Sequence, residues 1–275
     1  MSATAWRPRL VALDIDGTLL RWVTGSGAVH GEVDPVVRDA VRRAAAAGAE
    51  IVLASGRSIH SMVPIAEQLG LPLNGERCWI VASNGAVVVQ YPPVEIVHEE
   101  TFDASQAVRD VLRLHPTALV GVEERGKGYR VNRPFPEGEL EGEMIVTAVE
   151  EMVARPVSRV IIRDPDATVE DFQRLAEDLG LHGTDYVIGW TAWMDLAPVG
   201  ISKASGLARV ASRLGLEAAD ALAIGDGRND LEMFAWAGRA VAMGQAVPEV
   251  QEAADHVTLP VDEHGAAVEL DLWFT

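Results

Sequence analysis

A doubly wound α/β core carrying an inserted α+β domain is the fold class this sequence predicts, and three observations predict it. Apolar runs at Arg9–Leu13, Glu50–Ala54 and Cys78–Ala82 each stop in small or polar residues, as buried parallel strands do. Two of these runs lead into helical patterns, the alternation of strand and helix that builds a parallel sheet. From Val87 to about Thr191 the rhythm changes to strand-like runs joined by short turns, and afterwards the α/β alternation returns. At 275 residues the chain is long enough for two domains. The predicted division is 1–86 with 192–275 for the core and 87–191 for the insertion.

Each element has a local reason. Asp34 is placed to cap a helix whose first turn holds Pro35 and which stops near Gly48. The second strand, Glu50–Ala54, precedes a helix over Ser58–Leu69, in which Pro64 predicts a kink or a later start. Within the insertion, alternation or β-branching predicts strands at Val87–Gln90, Val94–Thr101, Ala118–Glu123, Gly128–Asn132, Val157–Arg163 and Tyr186–Trp193. Helices are predicted over Ser105–Leu114 and Val169–Leu179, the second announced by the Thr168-x-x-Asp171 start signal. Beyond the insertion, a helix runs from Ser202 to Gly215, a strand from Ala221 to Ile224, and a helix on to Ala237. Ala240–Met243 and Pro248–Ala254 complete the pattern as strand and helix.

Composition then excludes several partners. The formal net charge is −18, which argues against nucleic acid, whose phosphates need a basic footprint, and against anionic membranes. Cys78 is the single cysteine, so no intrachain disulfide can form and a reducing, cytoplasmic setting is expected. The longest run free of Asp, Glu, Lys and Arg is Cys78–Val94, short of the about 20 apolar residues a membrane helix needs. Nothing in the sequence sets an oligomeric state.

Chemistry gathers at strand ends, where open α/β sheets place their sites. Asp14 and Asp16 follow the first apolar run, and alternation puts both carboxylates on one side. A surface turn is the plainer reading, but carboxylates abutting a buried strand need a proton or a cation between them. Asp226, Asn229 and Asp230 repeat the arrangement after another strand, giving an oxygen-rich site of the kind hard Mg2+ prefers. Ser55 and Gly56 offer a hydroxyl and close backbone approach for a phosphate oxygen, although Ser is also an ordinary helix cap. Lys203 stands in the first turn of a helix, where the macrodipole disfavours a cation. The chain has only two lysines, Lys127 and Lys203, so this placement points to function.

Taken together, these motifs resemble the haloacid dehalogenase superfamily of phosphatases, in its Cof-type (subclass IIB) branch. Asp14-Ile15-Asp16-Gly17-Thr18 is similar to the first motif, Ala54–Arg57 to the second, Lys203 to the third, and Gly225–Asp230 to the fourth. Ser83–Ala86 and Ala242–Ala246 also resemble branch patterns, with Gln245 where the branch usually carries Asn. The resemblance implies an aspartyl-phosphate mechanism: Asp14 as nucleophile, Asp16 as general acid and base. It implies Mg2+ held by Asp14, the Asp16 carbonyl and Asp226, supported by Asn229 and Asp230. Ser55, Gly56, Lys203, Asn84 and Asn229 would hold the phosphoryl group, with Arg57 a substrate contact of open role. The insertion would be a lid that shapes substrate choice.

Trp190 and Trp193 lie where the insertion returns to the core. They are offered as stacking contacts, against core packing as the plainer role. Arg125, Lys127 and Arg130 are offered as contacts to a second anionic group, against solvated turn charges. The expected substrate is a small phosphorylated metabolite, a sugar phosphate foremost. A phosphomutase sharing the first motif and an inactive phosphate-binding protein are the alternatives. A receiver domain, which also phosphorylates an Asp beside Mg2+, has no use for Asp16 or for a lid.

Overall fold

The computed structural model describes residues 6–21, 31–73, 77–124, 127–136, 139–140, 142–164, 167–168, 170–171, 184–188 and 193–275. The chain begins with β1 (Leu10–Leu13), α1 (Pro35–Ala46), β2 (Glu50–Ala54), α2 (Ile59–Leu69), β3 (Cys78–Ala82), β4 (Val87–Tyr91) and β5 (Glu95–Glu99). It continues through α3 (Ser105–Leu114), β6 (Leu119–Glu124), β7 (Gly128–Val131), β8 (Glu143–Val146), α4 (Val149–Met152), β9 (Val160–Arg163), β10 (Thr184–Ile188) and β11 (Trp193–Pro198). The remainder holds α5 (Lys203–Leu214), β12 (Ala221–Gly225), α6 (Leu231–Trp236), β13 (Arg239–Ala242), α7 (Pro248–Glu252), β14 (His256–Val257) and α8 (Gly265–Asp271).

Two sheets result. The first has eight strands in the order β14-β13-β12-β1-β2-β3-β4-β5, and the second has six in the order β10-β11-β9-β6-β7-β8. In the first sheet β1 is parallel to both β12 and β2. Strand β1 is therefore the point from which the chain winds out in both directions. That is where an open α/β sheet leaves a crevice at its carboxyl ends. Alternation along these strands buries both faces. Val11, Leu13, Ile51 and Leu53 pack with Val37, Ile65 and Leu270 on one side. Leu10, Ala12, Val52 and Ala54 pack with Leu207, Val210 and Phe234 on the other. In the second sheet, Val120, Val122, Val160 and Ile162 face Val108 and Val111 of α3.

The predicted fold class is the one observed, and its local signals have physical counterparts. Asp34 Oδ1 accepts the Val36 N–H at 2.9 Å, capping α1 with Pro35 in its first turn. Thr168 and Asp171 exchange reciprocal hydrogen bonds, the Thr168 N–H to Asp171 Oδ2 and the Asp171 N–H to Thr168 Oγ1. The rest of the predicted helix Val169–Leu179 lies outside the described residues apart from Glu170 and Asp171. Helix α2 runs from Ile59 to Leu69 with Pro64 inside it, and no later start is seen. Cys78 is buried, and burial pushes its thiol up to about 11, so it is a packing residue.

Strand pairing shows which sheet the strands near the predicted bounds of the insertion join. Of the strands assigned by sequence to the insertion, β4 pairs antiparallel with β3 and β5 with β4, so both extend the first sheet. Strand β11, all of which falls beyond residue 191, pairs with β9 and β10 in the second sheet. An antiparallel hairpin has the same sequence signature whichever sheet it joins, so composition alone could not place these strands. Strand β8, strand β11 beyond Trp193, strand β14, helix α4 and helix α8 were not anticipated. Among the described residues no helix is long and apolar enough to cross a membrane.

Candidate active site

Loops after β1, β2, β3 and β12 converge with the start of α5. Asp14 leaves β1 with its N–H donating to the Ile224 carbonyl at 3.0 Å, which ties its position to β12. Its carboxylate Oδ1 accepts from Lys203 Nζ at 2.6 Å, and Lys203 Nζ donates equally to Asp230 Oδ1 at 2.6 Å. Lys203 is fully buried, as is Asp230. Two glycines make this depth possible. A Cβ on Gly85 would lie 2.0 Å from the Ser202 carbonyl oxygen, and one on Gly206 2.5 Å from Val81 Cγ1. Without side chains there, the first turn of α5 settles against β3 and drives Lys203 into the carboxylates.

Burial acts to lower the Lys203 ammonium pKa, but the Asp14 and Asp230 carboxylates more than offset it. The lysine is held above its ordinary value and stays charged. The unfavourable dipole position noted in the sequence is thus compensated by two anions at hydrogen-bond distance.

Asp230 also shapes the loop it closes. Its Oδ2 accepts the backbone N–H groups of Asp226 at 3.0 Å and Gly227 at 2.9 Å. One carboxylate oxygen of each of Asp14, Asp226 and Asp230 falls within 4.8 Å of the others, and all three residues are buried. This set of hard oxygen donors, with no His or Cys among them, fits a divalent cation. Asp230, given a supporting role by the sequence reading, is one of the three carboxylates of this group; for Asp16 that reading names the backbone carbonyl, not the carboxylate. Gln245, a departure from the usual Asn, has a defined place. Its Nε2 donates to the Gly17 carbonyl at 2.7 Å and to Asp226 Oδ2 at 3.2 Å, while its Oε1 accepts from the Val261 N–H at 2.9 Å. It ties the first and fourth motif loops together.

Asp16 faces Arg57. The guanidinium forks the carboxylate, with Nη2 to Oδ1 at 2.8 Å and Nε to Oδ2 at 2.9 Å. The structure thus places Arg57 on Asp16, a bidentate contact of fixed geometry. Ser55 is buried at the end of β2, and its Oγ accepts the Arg57 N–H at 3.2 Å. Asn84 and Asn229 meet each other: Asn229 Nδ2 donates to Asn84 Oδ1 at 3.0 Å, and Asn84 Nδ2 donates to Asp195 Oδ2 at 3.2 Å. Gly56 lies against this carboxamide, since a Cβ there would be 3.2 Å from Asn84 Nδ2.

The structure thus brings together Asp14, Asp226, Asp230 and Lys203 at the centre, with Asp16, Ser55, Gly56, Arg57, Asn84 and Asn229 around them. Trp190 and Arg125 lie outside the described residues, and only the backbone of Trp193, at the start of β11, is described. Arg130 pairs with Glu124 at 2.6 Å. Sequence reasoning missed Glu123, Tyr129, Arg159 and Asp195, which the second sheet presents to the Ser83–Asn84 turn. Asp195 and Arg159 each carry a weak signal, a lone charge beside an apolar strand core.

A buried lysine clamped between aspartates at the crevice beside β1, with a second sheet meeting the same loops, marks the candidate active site of an enzyme. Residues 11–270 match the haloacid dehalogenase-like hydrolases, and the chain belongs to that family. It is 32% identical over 94% of its length to YxeH of Bacillus subtilis, which bears a provisional phosphatase name, and covers 96% of that protein. It is 31% identical to the phosphoglycolate phosphatase of Natronomonas pharaonis, with 90% of each chain covered. Its fold matches that of a subclass IIB sugar phosphatase with a TM-score of 0.79, covering 96% of this chain and 98% of that one. At 21% identity this last likeness is one of fold alone.

Proposed function

We propose that this hydrolase removes the phosphoryl group from small phosphorylated metabolites, sugar phosphates foremost, using Asp14 as nucleophile and Mg2+ as its cation. One observation carries the reading: Asp14 is buried beyond the central strand, gripped by Lys203, with carboxylate oxygens of Asp226 and Asp230 close by. The phosphatase names of the relatives agree with it.

Asp14, Asp226 and the Asp16 carbonyl would hold Mg2+, with Asp230 and Asn229 supporting them. With Asp14, Asp16, Asp226 and Asp230 ionised, Lys203 and Arg57 leave an excess of negative charge that one divalent cation balances. When bound, the cation offsets the repulsion between the Asp14 carboxylate and the phosphoryl oxygens. Ser55 Oγ, the Gly56 backbone and Lys203 orient those oxygens, since positioning and electrostatics do most of the work in such transfers.

A carboxylate oxygen of Asp14 attacks phosphorus, and the bond to the ester oxygen breaks with its electron pair on that oxygen. Asp16, having taken a proton from solvent once Arg57 has turned to the phosphoryl oxygens, gives that proton to the departing oxygen, because a sugar alkoxide is a poor leaving group. Asp16 then takes a proton from water as the water oxygen attacks phosphorus. The bond to Asp14 breaks, restoring the carboxylate and releasing orthophosphate. In the structure Arg57 occupies both oxygens of Asp16. Protonation of the leaving group requires Arg57 to exchange that contact for the phosphoryl oxygens. The second sheet, roughly residues 101–199, serves as the lid that excludes water and selects the leaving group.

The test is orthophosphate release across sugar phosphates, phosphoglycolate, nucleotides, pyridoxal phosphate and flavin mononucleotide. Turnover is expected with Mg2+, is abolished by a chelator and changes little with moderate salt, because the charges that matter are buried. Release from none of these esters would overturn the reading. Isomerised ester without orthophosphate would make the enzyme a mutase.

A further inference from the structure

We infer that the left-handed turn Ser83–Gly85 is a relay through which Glu123 and Asp195 of the second sheet position Asn229, and with it the Asp226–Asp230 loop. The inference rests on the phosphatase reading of that loop and adds to it a means by which the lid acts on the reaction.

The turn is unusual in its backbone. Ser83, Asn84 and Gly85 adopt φ of 51°, 52° and 99° in succession. Asn tolerates the left-handed region and Gly favours it, but Ser does so at a cost, and such conformations persist only where neighbours enforce them. Two of the enforcing contacts come from the second sheet. Ser83 Oγ donates to Glu123 Oε2 at the end of β6, and Asn84 Nδ2 donates to Asp195 Oδ2 in β11. Asp195 is itself held from below: Arg159 Nη2 lies 2.9 and 2.8 Å from its two oxygens, and Arg159 Nη1 donates to the Tyr129 hydroxyl at 3.4 Å. Ser83, Asn84, Tyr129, Arg159 and Asp195 are all buried, so water does not replace these contacts while the sheets are together.

The other side of the turn faces the reaction. Asn84 Oδ1 accepts from Asn229, and Asn229 is next to Asp230, which grips Lys203 and closes the Asp226 loop. The Asn84 N–H donates to the Ser55 carbonyl at 3.0 Å and the Ser83 N–H to the Arg57 carbonyl at 2.8 Å, so the same turn braces the second motif. A single carboxamide is thus oriented by Asp195 at one end and orients Asn229 at the other. Withdrawal of the second sheet removes the two side-chain contacts it makes with the turn, frees the carboxamide to rotate and loosens the hold of Asn229 on its acceptor. Glu123 and Asp195 are positioning residues in this account.

The test compares wild type with Asp195→Ala, Glu123→Ala and Glu123→Gln in the full-length protein. Gln keeps an oxygen acceptor for Ser83 and so serves as the conservative rescue. Hydrogen exchange of the Asp226 and Gly227 amides reads the loop directly, and the β1 and β2 amides report whether the fold is kept. Steady-state turnover is measured with acetyl phosphate, which has no hydroxyls for a lid to recognise, and with a hexose phosphate. Both alanine variants are expected to exchange those two amides about tenfold faster, within the range of coupling carried by such networks. They should lose kcat by a similar factor on both substrates with KM little changed, while Glu123→Gln stays near wild type. Unchanged exchange in both alanine variants would overturn the relay. So would a loss of kcat confined to the hexose phosphate, which would make these residues substrate contacts. Should wild type release no phosphate from either substrate, the phosphatase reading fails while the exchange measurement still decides the relay.

Discussion

Asp14→Asn is expected to abolish orthophosphate release, lowering kcat by about 10⁴-fold or more, the scale seen when a nucleophile is removed from a cooperating set. The amide has nearly the shape of the carboxylate and still offers an oxygen to Lys203 Nζ, so the packing around it survives. It lacks the charge that makes the oxygen nucleophilic and that helps hold a cation. Lys203 retains Asp230, 2.6 Å away on its other side, and stays compensated. The loss should therefore appear in kcat for p-nitrophenyl phosphate and for any natural ester alike, with a melting temperature close to wild type. A variant that keeps substantial turnover would remove Asp14 from the reaction.

Lys203→Met is expected to act on both stability and turnover. The ammonium is fully buried and is shared by Asp14 and Asp230. Met fills similar space but leaves two carboxylates buried without their counter-charge, and removing one partner of a buried pair costs about 3–5 kcal/mol. Urea unfolding should show a lower midpoint at unchanged slope, since the surface exposed on unfolding is the same. Turnover should fall as well, because the same ammonium both orients the nucleophile and meets the phosphoryl oxygens. Lys203→Arg is no rescue: the planar guanidinium cannot place a point charge between two oxygens in a site packed this closely. A variant with wild-type stability would mean that the carboxylates share a proton or a cation instead of depending on Lys203.

What could be read from the sequence follows from the range of the interactions involved. Strands β1, β2 and β3 are buried on both faces and so stand out as apolar runs. The residues that follow them, Asp14, Ser55 and Ser83, are contiguous with those runs, so the central site was visible as short motifs. Lys203 was conspicuous for its rarity and its place at a helix start, and the structure supplies the reason in Asp14 and Asp230. Contacts made across long stretches of chain were not visible. The Arg57 fork on Asp16 joins residues 41 positions apart, and Asn84 meets Asn229 across 145. Glu123 near the end of β6, Arg159 just before β9 and Asp195 within β11 are polar residues beside otherwise apolar strands. Only the seating of the second sheet against the Ser83–Asn84 turn gives them meaning. Strand β8 is half-exposed and too short for alternation to mark it. The hairpin β4–β5 was visible as strands but not as members of the first sheet, because pairing partners are a tertiary property.

The division of labour between the two motif aspartates is the central claim, and trapping the intermediate tests it most directly. Asp16→Asn removes the group that activates water but leaves Asp14 intact, and p-nitrophenolate departs without needing a proton. Rapid acid quenching of this variant after mixing with p-nitrophenyl phosphate and Mg2+, followed by peptide mass mapping, should find a phosphoryl group on Asp14. An enzyme that consumes the ester with no phosphorylated peptide, or with the phosphoryl group on any other residue, would contradict the account.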